Sequence, residues 1–373
     1  MEMKTTSGLN IEPHSDVMSM SQNISQDWLK MMPKVDLHLH LDGSIKPETI
    51  MALARKSGVS LPANSVEELL PYMKADKGCL SLTQYLEKFD FVSPFLQTAE
   101  ALELAAFEVV EQAAEHHCLY IEVRFAPQLH TRSGLNADEV IAAVIAGLNR
   151  GETSFGVKAR CIAICLRGHT GEMNLEVVTA ASRYLGHGLV AVDLAGAEAA
   201  YPAELYSEEF KLARELGLPA TIHAGEAAGA ESVREAVLGL NARRIGHGIR
   251  MRDNSEVMSL IAELNIPLEL CPVSNLQTKA VESWEDYPLR YYMDRGITVT
   301  VNTDNLTVSD TTITKEYSEL CEHFRLSAEE LCGLVMNGVK SAFLPEDEKE
   351  ELLKKMAASQ AAWLAAASTS TSP

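Results

Sequence analysis

The chain has 373 residues, 46% of them hydrophobic, and a formal net charge of −20 at pH 7. This length and hydrophobic content are typical of one large folded domain and exclude a fibrous or largely disordered chain. The excess of carboxylates excludes nucleic acid and anionic membrane surfaces as partners, because both are bound through clustered lysine and arginine. We therefore expect a small or neutral ligand.

The two ends of the chain differ in composition from the rest. Residues 1–30 are polar and show no sustained periodicity, so we predict an N-terminal extension there. Residues 367–373 contain the low-complexity sequence STSTSP and are predicted to be a disordered tail. No linker or repeat interrupts residues 31–366, which we predict to form a single barrel domain.

The seven cysteines include no C-x-x-C pair and cannot all pair with one another. We interpret them as reduced thiols. The sequence has neither a basic segment followed by an apolar one at its start nor an apolar run near the roughly 18 residues that span a bilayer. A cytoplasmic location without a membrane partner is expected.

Eight apolar or alternating runs occur along the domain, and a helix-like segment follows each of them. Strand followed by helix, eight times, predicts an α/β fold of the parallel (β/α)8 TIM-barrel type. The predicted strands are residues 34–40, 118–126, 158–166, 190–195, 219–224, 242–247, 266–271 and 297–304.

The segment after the first strand, from about residue 41 to 117, is too long for one helix. We predict extra helices there; the first of them has Pro47 in its first turn and Gly58 at its end. Apolar residues at helical spacing follow within this insertion, namely Leu82, Tyr85, Leu86 and Phe89. They predict either core packing or a hydrophobic lid that excludes water from the barrel mouth.

Polar side chains stand at the ends of four predicted strands. They are His38 and His40 at strand 1, His223 with Glu226 after strand 5, His247 at strand 6, and Asp304 at strand 8. Residues i and i+2 of a strand share a face, and a parallel barrel brings all strand ends to one side. Although a lone histidine pair equally fits buried histidines held by hydrogen bonds, the agreement of four segments predicts a hydrolytic metal site.

Eight motifs carry a resemblance to a known family. They are PKVDLHLHLDGSIKPET (33–49), YLEKFDF (85–91), YIEVRFAP (120–127), VDLAGAE (192–198), HAGE (223–226), RIGHG (244–248), CPVSN (271–275) and VNTDN (301–305). In this order and spacing, the chain resembles adenosine deaminases of the metal-dependent amidohydrolase superfamily over about residues 31–355.

The resemblance implies a reaction and a set of roles. The implied metal ligands for one Zn²⁺ per subunit are His38, His40, His223 and Asp304. Glu226 is the implied proton donor to purine N1, although a carboxylate at a helix N-terminus is an alternative. His247 and Asp304 would orient a zinc-activated hydroxide and help take its proton. The implied reaction is deamination of adenosine, and of 2′-deoxyadenosine, to inosine and ammonia in purine salvage.

The resemblance also implies four substrate contacts. Asp42 would bind the ribose 5′-hydroxyl, although an aspartate before glycine also stabilises turns. Gly196 would offer its backbone N–H to purine N3, and His40 would border the substrate beside the metal. Asn305 stands where the family has a second aspartate that contacts N7; its amide donates to N7 at any pH, whereas an aspartate must first be protonated.

Several alternatives remain open at this point. Relatives that act on free adenine have a motif resembling H-x-E-G where this chain has His40-Leu41-Asp42-Gly43, so Asp42 favours a nucleoside substrate. The alternative is a deaminase of adenine, of a 6-aminodeoxyfutalosine-type nucleoside or of a nucleotide. The zinc deaminases that edit nucleic acids need H-x-E with P-C-x-x-C, which the chain lacks. A further alternative is a non-enzymatic protein whose barrel serves only as a binding scaffold, but it does not explain why the full set of metal-ligand and acid residues is present. Three histidines and an aspartate also accept Fe, Co or Mn, and the oligomeric state is open.

Overall fold

The computed structural model describes residues 25–75, 78–79 and 81–369, the last three by their backbone alone. Its eight strands pair in parallel within two sheets, in the orders β1-β2-β3-β4 and β5-β6-β7-β8. They are β1 (Lys34–His40), β2 (Cys118–Phe125), β3 (Lys158–Leu166), β4 (Leu189–Ala195), β5 (Thr221–Ala224), β6 (Arg244–His247), β7 (Leu268–Leu270) and β8 (Val299–Val301).

Single parallel bridges join the two sheets at both of their seams. Leu39 pairs with Asp304 just beyond β8, and Val192 pairs with Ala220 just ahead of β5. At the first seam the backbone N–H of Asp304 donates to the carbonyl oxygen of His38 at 2.7 Å. The strands thus follow one another in cyclic order, and the predicted parallel α/β barrel is confirmed.

Helices surround the strands throughout the described part of the chain. They are α1 (Gln26–Met31), α2 (Pro47–Ser57), α3 (Val66–Met73), α4 (Leu82–Val92), α5 (Ala99–Glu115), α6 (Ala137–Phe155), α7 (Gly171–Ser182), α8 (Ser207–Glu215), α9 (Ala230–Leu238), α10 (Ser255–Glu263), α11 (Pro272–Gln277), α12 (Leu289–Met293), α13 (Ile313–Phe324), α14 (Ala328–Ser341) and α15 (Glu346–Thr369). Short 3-10 turns occupy Asp42–Ser44, Ser93–Phe95, Pro127–His130, Ala203–Tyr206 and Ile249–Asp253.

The predicted insertion after β1 is present as four helices, α2 to α5. Helix α2 begins with Pro47 in its first turn and ends at Gly58, whose φ of 71° lies in the left-handed region. Both ends agree with the sequence prediction, because proline has no N–H to leave unpaired and glycine enters that region without strain.

The last predicted strands are longer than the observed ones. Strand β8 ends at Val301, whereas the prediction extended to residue 304. Asp304 has a φ of 62°, so the chain leaves the extended conformation before it reaches this residue. The apolar alternation itself ends at Val301, and the turn that follows is set by tertiary contacts.

The first and last described helices, α1 and α15, contact each other. Helix α1 spans the end of the predicted N-terminal extension at residue 30, and its Leu29 is fully buried. Trp28 stacks on Trp363 of α15, with ring centroids 3.7 Å apart. Residues 1–24 and 370–373 lie outside the described residues, and the backbone of residues 367–369, at the start of the predicted tail, continues α15.

All seven cysteines belong to the described residues, and none of them forms a disulfide. Across the part of the chain that the structure describes, no helix combines the length and the apolar character that crossing a membrane requires.

Candidate active site

Four side chains converge at the C-terminal ends of β1, β5 and β8. His40 Nε2 lies 3.3 Å from His223 Nε2 and 3.3 Å from Asp304 Oδ1. His38 Nε2 lies 3.5 Å from the same aspartate oxygen. All four residues are at most 9% exposed, so four donor atoms face one another in a space closed to bulk water.

Three distances between these atoms are those of neighbouring ligands on one metal ion. Zinc bonds of about 2.0–2.2 Å at tetrahedral angles set neighbouring ligand atoms about 3.3–3.6 Å apart, which agrees with the distances from His40 to His223 and from Asp304 to His38 and His40. His38 Nε2 is buried and has no hydrogen-bond partner among the described residues. Three imidazoles and one carboxylate are a donor set that divalent transition metals accept, so this site fits the expected ion.

Two buried carboxylates orient two of these histidines. Glu269 Oε2 lies 2.8 Å from His38 Nδ1, and Asp193 Oδ2 lies 3.0 Å from His223 Nδ1. A carboxylate only accepts, so each Nδ1 carries the proton and each Nε2 keeps its lone pair for a metal. Burial opposes ionisation of Asp193, yet the hydrogen bond from His223 and the charge of Arg124 hold its pKa well below the usual range.

Arg124 of β2 links these two carboxylates. Its Nη1 donates to Asp193 at 2.9 Å, and its Nη2 donates to Glu269 at 2.8 Å. All three side chains are fully buried. One guanidinium therefore sets the positions of both carboxylates that orient metal-facing histidines.

Glu226 follows β5 in a turn that Glu198 holds. One oxygen of Glu198 accepts from the backbone N–H of Gly225 at 2.7 Å; the other accepts from the N–H groups of Glu226, Ala227 and Ala228 at 3.1, 2.7 and 3.0 Å. Gly225 has a φ of 72°, and a Cβ there would lie 2.7 Å from Val233 Cγ2. The turn therefore requires glycine at this position, and its shape depends on one carboxylate.

The surroundings of Glu226 favour the protonated form of its carboxyl group. Burial, reinforced by the negative charges of Asp304 and Glu198, raises the pKa of Glu226 to about 8. Its Oε1 is buried without a partner among the described residues. Its Oε2 lies 3.5 Å from His247 Nε2. A neutral acid beside the donor cluster is able to give a proton to a bound molecule.

Asp304 is in the opposite state. Burial opposes its ionisation, but its contacts with His38 and His40 hold its pKa well below the usual range. Its second oxygen accepts from Ser274 Oγ at 2.5 Å. The site thus pairs an ionised carboxylate, a proton acceptor, with the protonated carboxyl of Glu226.

His247 ends β6 beside these two carboxyl groups. Its φ of 66° lies in the left-handed region, where a residue with a side chain is strained. It is 1% exposed, and burial lowers the pKa of its imidazole well below the usual value. The ring is therefore neutral.

Asp42 and Asn305, two of the predicted substrate residues, are linked through Gly43. Asp42 lies in the 3-10 turn after β1, and burial raises its pKa to about 6. The neighbouring Gly43 lies against the side chain of Asn305, because a Cβ on this glycine would come within 1.7 Å of Asn305 Oδ1. Gly196 follows β4 with a φ of 111° beside Arg167, which donates to the carbonyl oxygen of His223 at 2.8 Å.

The amide of Asn305 already has a partner in the protein. Its Nδ2 donates to the Tyr85 hydroxyl at 2.8 Å, and that hydroxyl lies 2.6 Å from Ser309 Oγ. Asn305 Oδ1 is buried with no partner among the described residues. Because Tyr85 can donate or accept, the amide can also turn over, bonding the hydroxyl through Oδ1 and freeing Nδ2 for a ligand.

Helix α4 reaches the site through the apolar stripe that the sequence singled out. Tyr85 is 2% exposed and belongs to a small apolar cluster with Ala75, Cys79 and Val308. The ring of Phe89 lies 6.4 Å from that of His40, centroid to centroid. The stripe therefore combines core packing with a wall beside the metal-facing histidines.

Sequence reasoning missed the residues that orient the predicted ones. They are Arg124, Asp193, Glu198, Glu269, Ser274 and Asn275. Three of them are charged residues inside otherwise apolar strands, a pattern that indicates buried ion pairs because an isolated charge does not remain in a core. The other three fall within or directly after motifs already quoted.

Comparison with known proteins agrees with this geometry. Residues 33–359 match the family model for adenosine deaminase. Curated relatives include an adenosine deaminase of Clostridium botulinum (strain Okra / Type B1), 45% identical over 87% of this chain and 96% of the relative. Another is an adenosine deaminase of Enterococcus faecalis, 43% identical over 88% and 97% of the two chains.

Among solved structures, an adenine deaminase from Arthrobacter aurescens superposes with a TM-score of 0.80. It is 29% identical, and the match covers 87% of this chain and 98% of that one. The similarity thus spans the barrel and the helices inserted after β1.

Proposed function

Because this chain belongs to the adenosine deaminase family and is a hydrolytic deaminase, we propose that it converts adenosine, and 2′-deoxyadenosine, to inosine or 2′-deoxyinosine and ammonia. The observation that carries this proposal is the buried carboxyl group of Glu226, with one oxygen that has no partner among the described residues, beside Asp304 and three imidazoles that face the same space; burial raises the pKa of Glu226, while that of Asp304 is held low. Such a pair of carboxyl groups, held in opposite states by their surroundings, supplies both proton transfers that the reaction needs.

We assign the metal to His38, His40, His223 and Asp304, whose spacing supports one divalent ion, Zn²⁺, per subunit. When bound, the metal would lower the pKa of a water molecule to about 7 and so supply hydroxide near neutral pH. The carboxylates of Glu269 and Asp193 keep the histidine lone pairs directed inward and exclude the competing tautomer.

Glu226 gives its proton to purine N1, which makes C6 more electrophilic. Asp304 accepts a proton from the attacking water as the water oxygen bonds to C6. That proton passes to the departing amino group, the C6–N bond breaks, and ammonia leaves. As the C6 carbonyl forms, the remaining hydroxyl proton goes to the carboxylate of Glu226, which restores the acid. His247 and Asp304 orient the attacking water, and His40 with Phe89 of α4 borders the base.

Substrate selection rests on the residues at the edge of the cluster. Asp42 binds the ribose 5′-hydroxyl, Gly196 offers its N–H to purine N3, and Asn305 donates to N7 after its amide turns over. Asp42 in His40-Leu41-Asp42-Gly43 supports a nucleoside over free adenine, as does the 45% identity to an adenosine deaminase. A role in purine salvage follows from this substrate.

The first test is the ultraviolet absorbance change when adenosine, 2′-deoxyadenosine, adenine and AMP are each mixed with the purified protein, before and after treatment with a chelator. Chelator-sensitive conversion of the two nucleosides is the expected result, with activity restored by added Zn²⁺. Conversion of adenine or AMP instead of the nucleosides would show that the protein is a deaminase with a different substrate. Absence of turnover in zinc-loaded protein would overturn the proposal. The cytoplasmic location and the absence of nucleic-acid and membrane partners stay predictions.

A further inference from the structure

Asn275 of α11 contacts His247, and its other hydrogen bonds determine which atom of its side-chain amide faces the imidazole. Its Oδ1 accepts from the backbone N–H of Cys271 at 3.2 Å and from the hydroxyl of Tyr287 at 3.1 Å. A backbone N–H only donates, so the amide oxygen must be the atom on that side. The amide nitrogen is therefore the atom that lies 2.8 Å from His247 Nδ1.

This contact determines where the imidazole proton lies. An amide N–H only donates, so His247 Nδ1 must accept with its lone pair, and a neutral imidazole with an accepting Nδ1 carries its proton on Nε2. Asn275 and His247 are 0% and 1% exposed, so no bulk water competes for the contact.

We propose that Asn275 is a positioning residue that holds His247 as the neutral Nε2–H tautomer, so that His247 presents a hydrogen-bond donor to the reacting groups and serves neither as a metal ligand nor as a base.

The neighbouring histidines provide the contrast that supports this inference. His38 and His223 direct Nδ1 at carboxylates, which only accept, and therefore keep a lone pair on Nε2. The ring of His247 lies only 4.8 Å from that of His38 and 5.1 Å from that of His223, centroid to centroid. His247 is thus distinguished from His38 and His223 because its Nδ1 faces an amide instead of a carboxylate. The amide makes His247 a hydrogen-bond donor, whereas the carboxylates leave the other two able to bind a metal.

The tautomer has a consequence for the reaction, and this step rests on the proposed function. With Nε2 already protonated and Nδ1 occupied by Asn275, His247 has no free site for the proton of the attacking water. That proton goes to Asp304. His247 instead donates a hydrogen bond, toward the attacking oxygen or toward Glu226 Oε2, which lies 3.5 Å from Nε2.

The test is nitrogen NMR of histidine side chains in the zinc-loaded, ¹⁵N-histidine-labelled protein at pH 7, correlating ring protons with both ring nitrogens. The His247 signals are identified by their loss in His247→Asn. We expect Nδ1 to resonate as an unprotonated nitrogen and Nε2 as a protonated one. A protonated Nδ1, an imidazolium or a metal-bound Nε2 in the wild-type protein would overturn the proposal.

Asn275→Asp replaces the donating nitrogen by an accepting oxygen of nearly the same size. We expect the His247 proton to move onto Nδ1, or both nitrogens to be protonated, and kcat to fall at least about tenfold, the scale of a lost general acid–base or orienting group. An unchanged His247 spectrum in this variant contradicts the proposal.

Tyr287→Phe is the matched control, because it removes a hydrogen bond to the oxygen of the same amide and leaves the donor to His247 in place. Its His247 spectrum should match that of the wild type. If the wild-type protein deaminates no purine, the proposed function fails while the NMR result still decides the tautomer.

Discussion

Glu198 accepts a hydrogen bond from the backbone N–H of Glu226, the proposed proton donor, at 3.1 Å. Glu198 follows β4 and Glu226 follows β5, so this contact joins two neighbouring loops of the barrel. The same carboxylate accepts from three further backbone N–H groups, at residues 225, 227 and 228. It therefore shapes the whole turn, and its charge contributes to the raised pKa of Glu226.

We expect Glu198→Gln to lower both stability and turnover. A glutamine turns an N–H₂ group toward backbone N–H donors and leaves them without a partner, at a cost of about 1–3 kcal/mol in the free energy of unfolding. Displacement of Glu226 by an ångström would reduce kcat by on the order of 100-fold. Thermal unfolding and steady-state kinetics measure the two effects.

Glu231→Gln is the matched control, since this glutamate lies on the following helix with its side chain 65% exposed. We expect it to change the free energy of unfolding by no more than about 0.5 kcal/mol. Wild-type kcat and stability in Glu198→Gln would show that the turn holds its shape without the carboxylate.

The pH dependence of kcat/KM should have an alkaline limb set by Glu226. This group donates a proton only while it is protonated, and the protonated fraction falls as pH rises through its pKa of about 8. A bound cation favours the carboxylate form, so we expect the limb at or below about pH 8. A kcat/KM that stays constant up to pH 9 would show that Glu226 is not the proton donor. In Glu226→Gln, kcat should fall by about 10²–10⁴-fold.

Metal affinity should depend on Arg124, although this residue is no ligand. Lysine at this position carries the charge but cannot bridge Asp193 and Glu269, so the histidines they orient lose their fixed direction. We expect Arg124→Lys to weaken Zn²⁺ binding about 10–100-fold, measured by competition with a chromophoric chelator. Arg150→Lys, at a surface arginine whose side chain is 47% exposed, should bind the metal as the wild type does. Equal affinity in both variants would contradict this prediction.

Asn305→Asp should remain active but lose activity earlier as pH rises. Burial and the nearby Asp304 raise the pKa of the new carboxyl group, which donates to N7 only while protonated. We expect kcat/KM at pH 6 within about tenfold of the wild type, the scale of one hydrogen bond, and a steeper fall toward high pH. Tyr85→Phe removes the same internal hydrogen bond without adding a titrating group, so its alkaline limb should match the wild type. Near-total inactivity of Asn305→Asp at pH 6 would exclude this account.

The sequence by itself determined the barrel and which polar residues meet at the C-terminal ends of its strands. Spacing of two residues on an alternating strand directs His38 and His40 to one face, and parallel strand ends bring His223, His247 and Asp304 to the same side. Each of these patterns is local in the sequence, and the barrel architecture brings their residues together. The end of β8 was misplaced because the left-handed turn at Asp304 depends on its pairing with β1.

Only the tertiary structure decided the chemical state of each group. His38 and His247 are both histidines near strand ends, and the sequence does not distinguish their protonation. In the structure, a carboxylate faces Nδ1 of His38, whereas an amide faces Nδ1 of His247. Burial acts on both Glu226 and Asp304, yet the pKa of Glu226 is raised because two further carboxylates lie near it, whereas that of Asp304 is lowered because histidines surround it. Proton positions depend on distances between residues far apart along the chain, and those distances exist only once the barrel has formed.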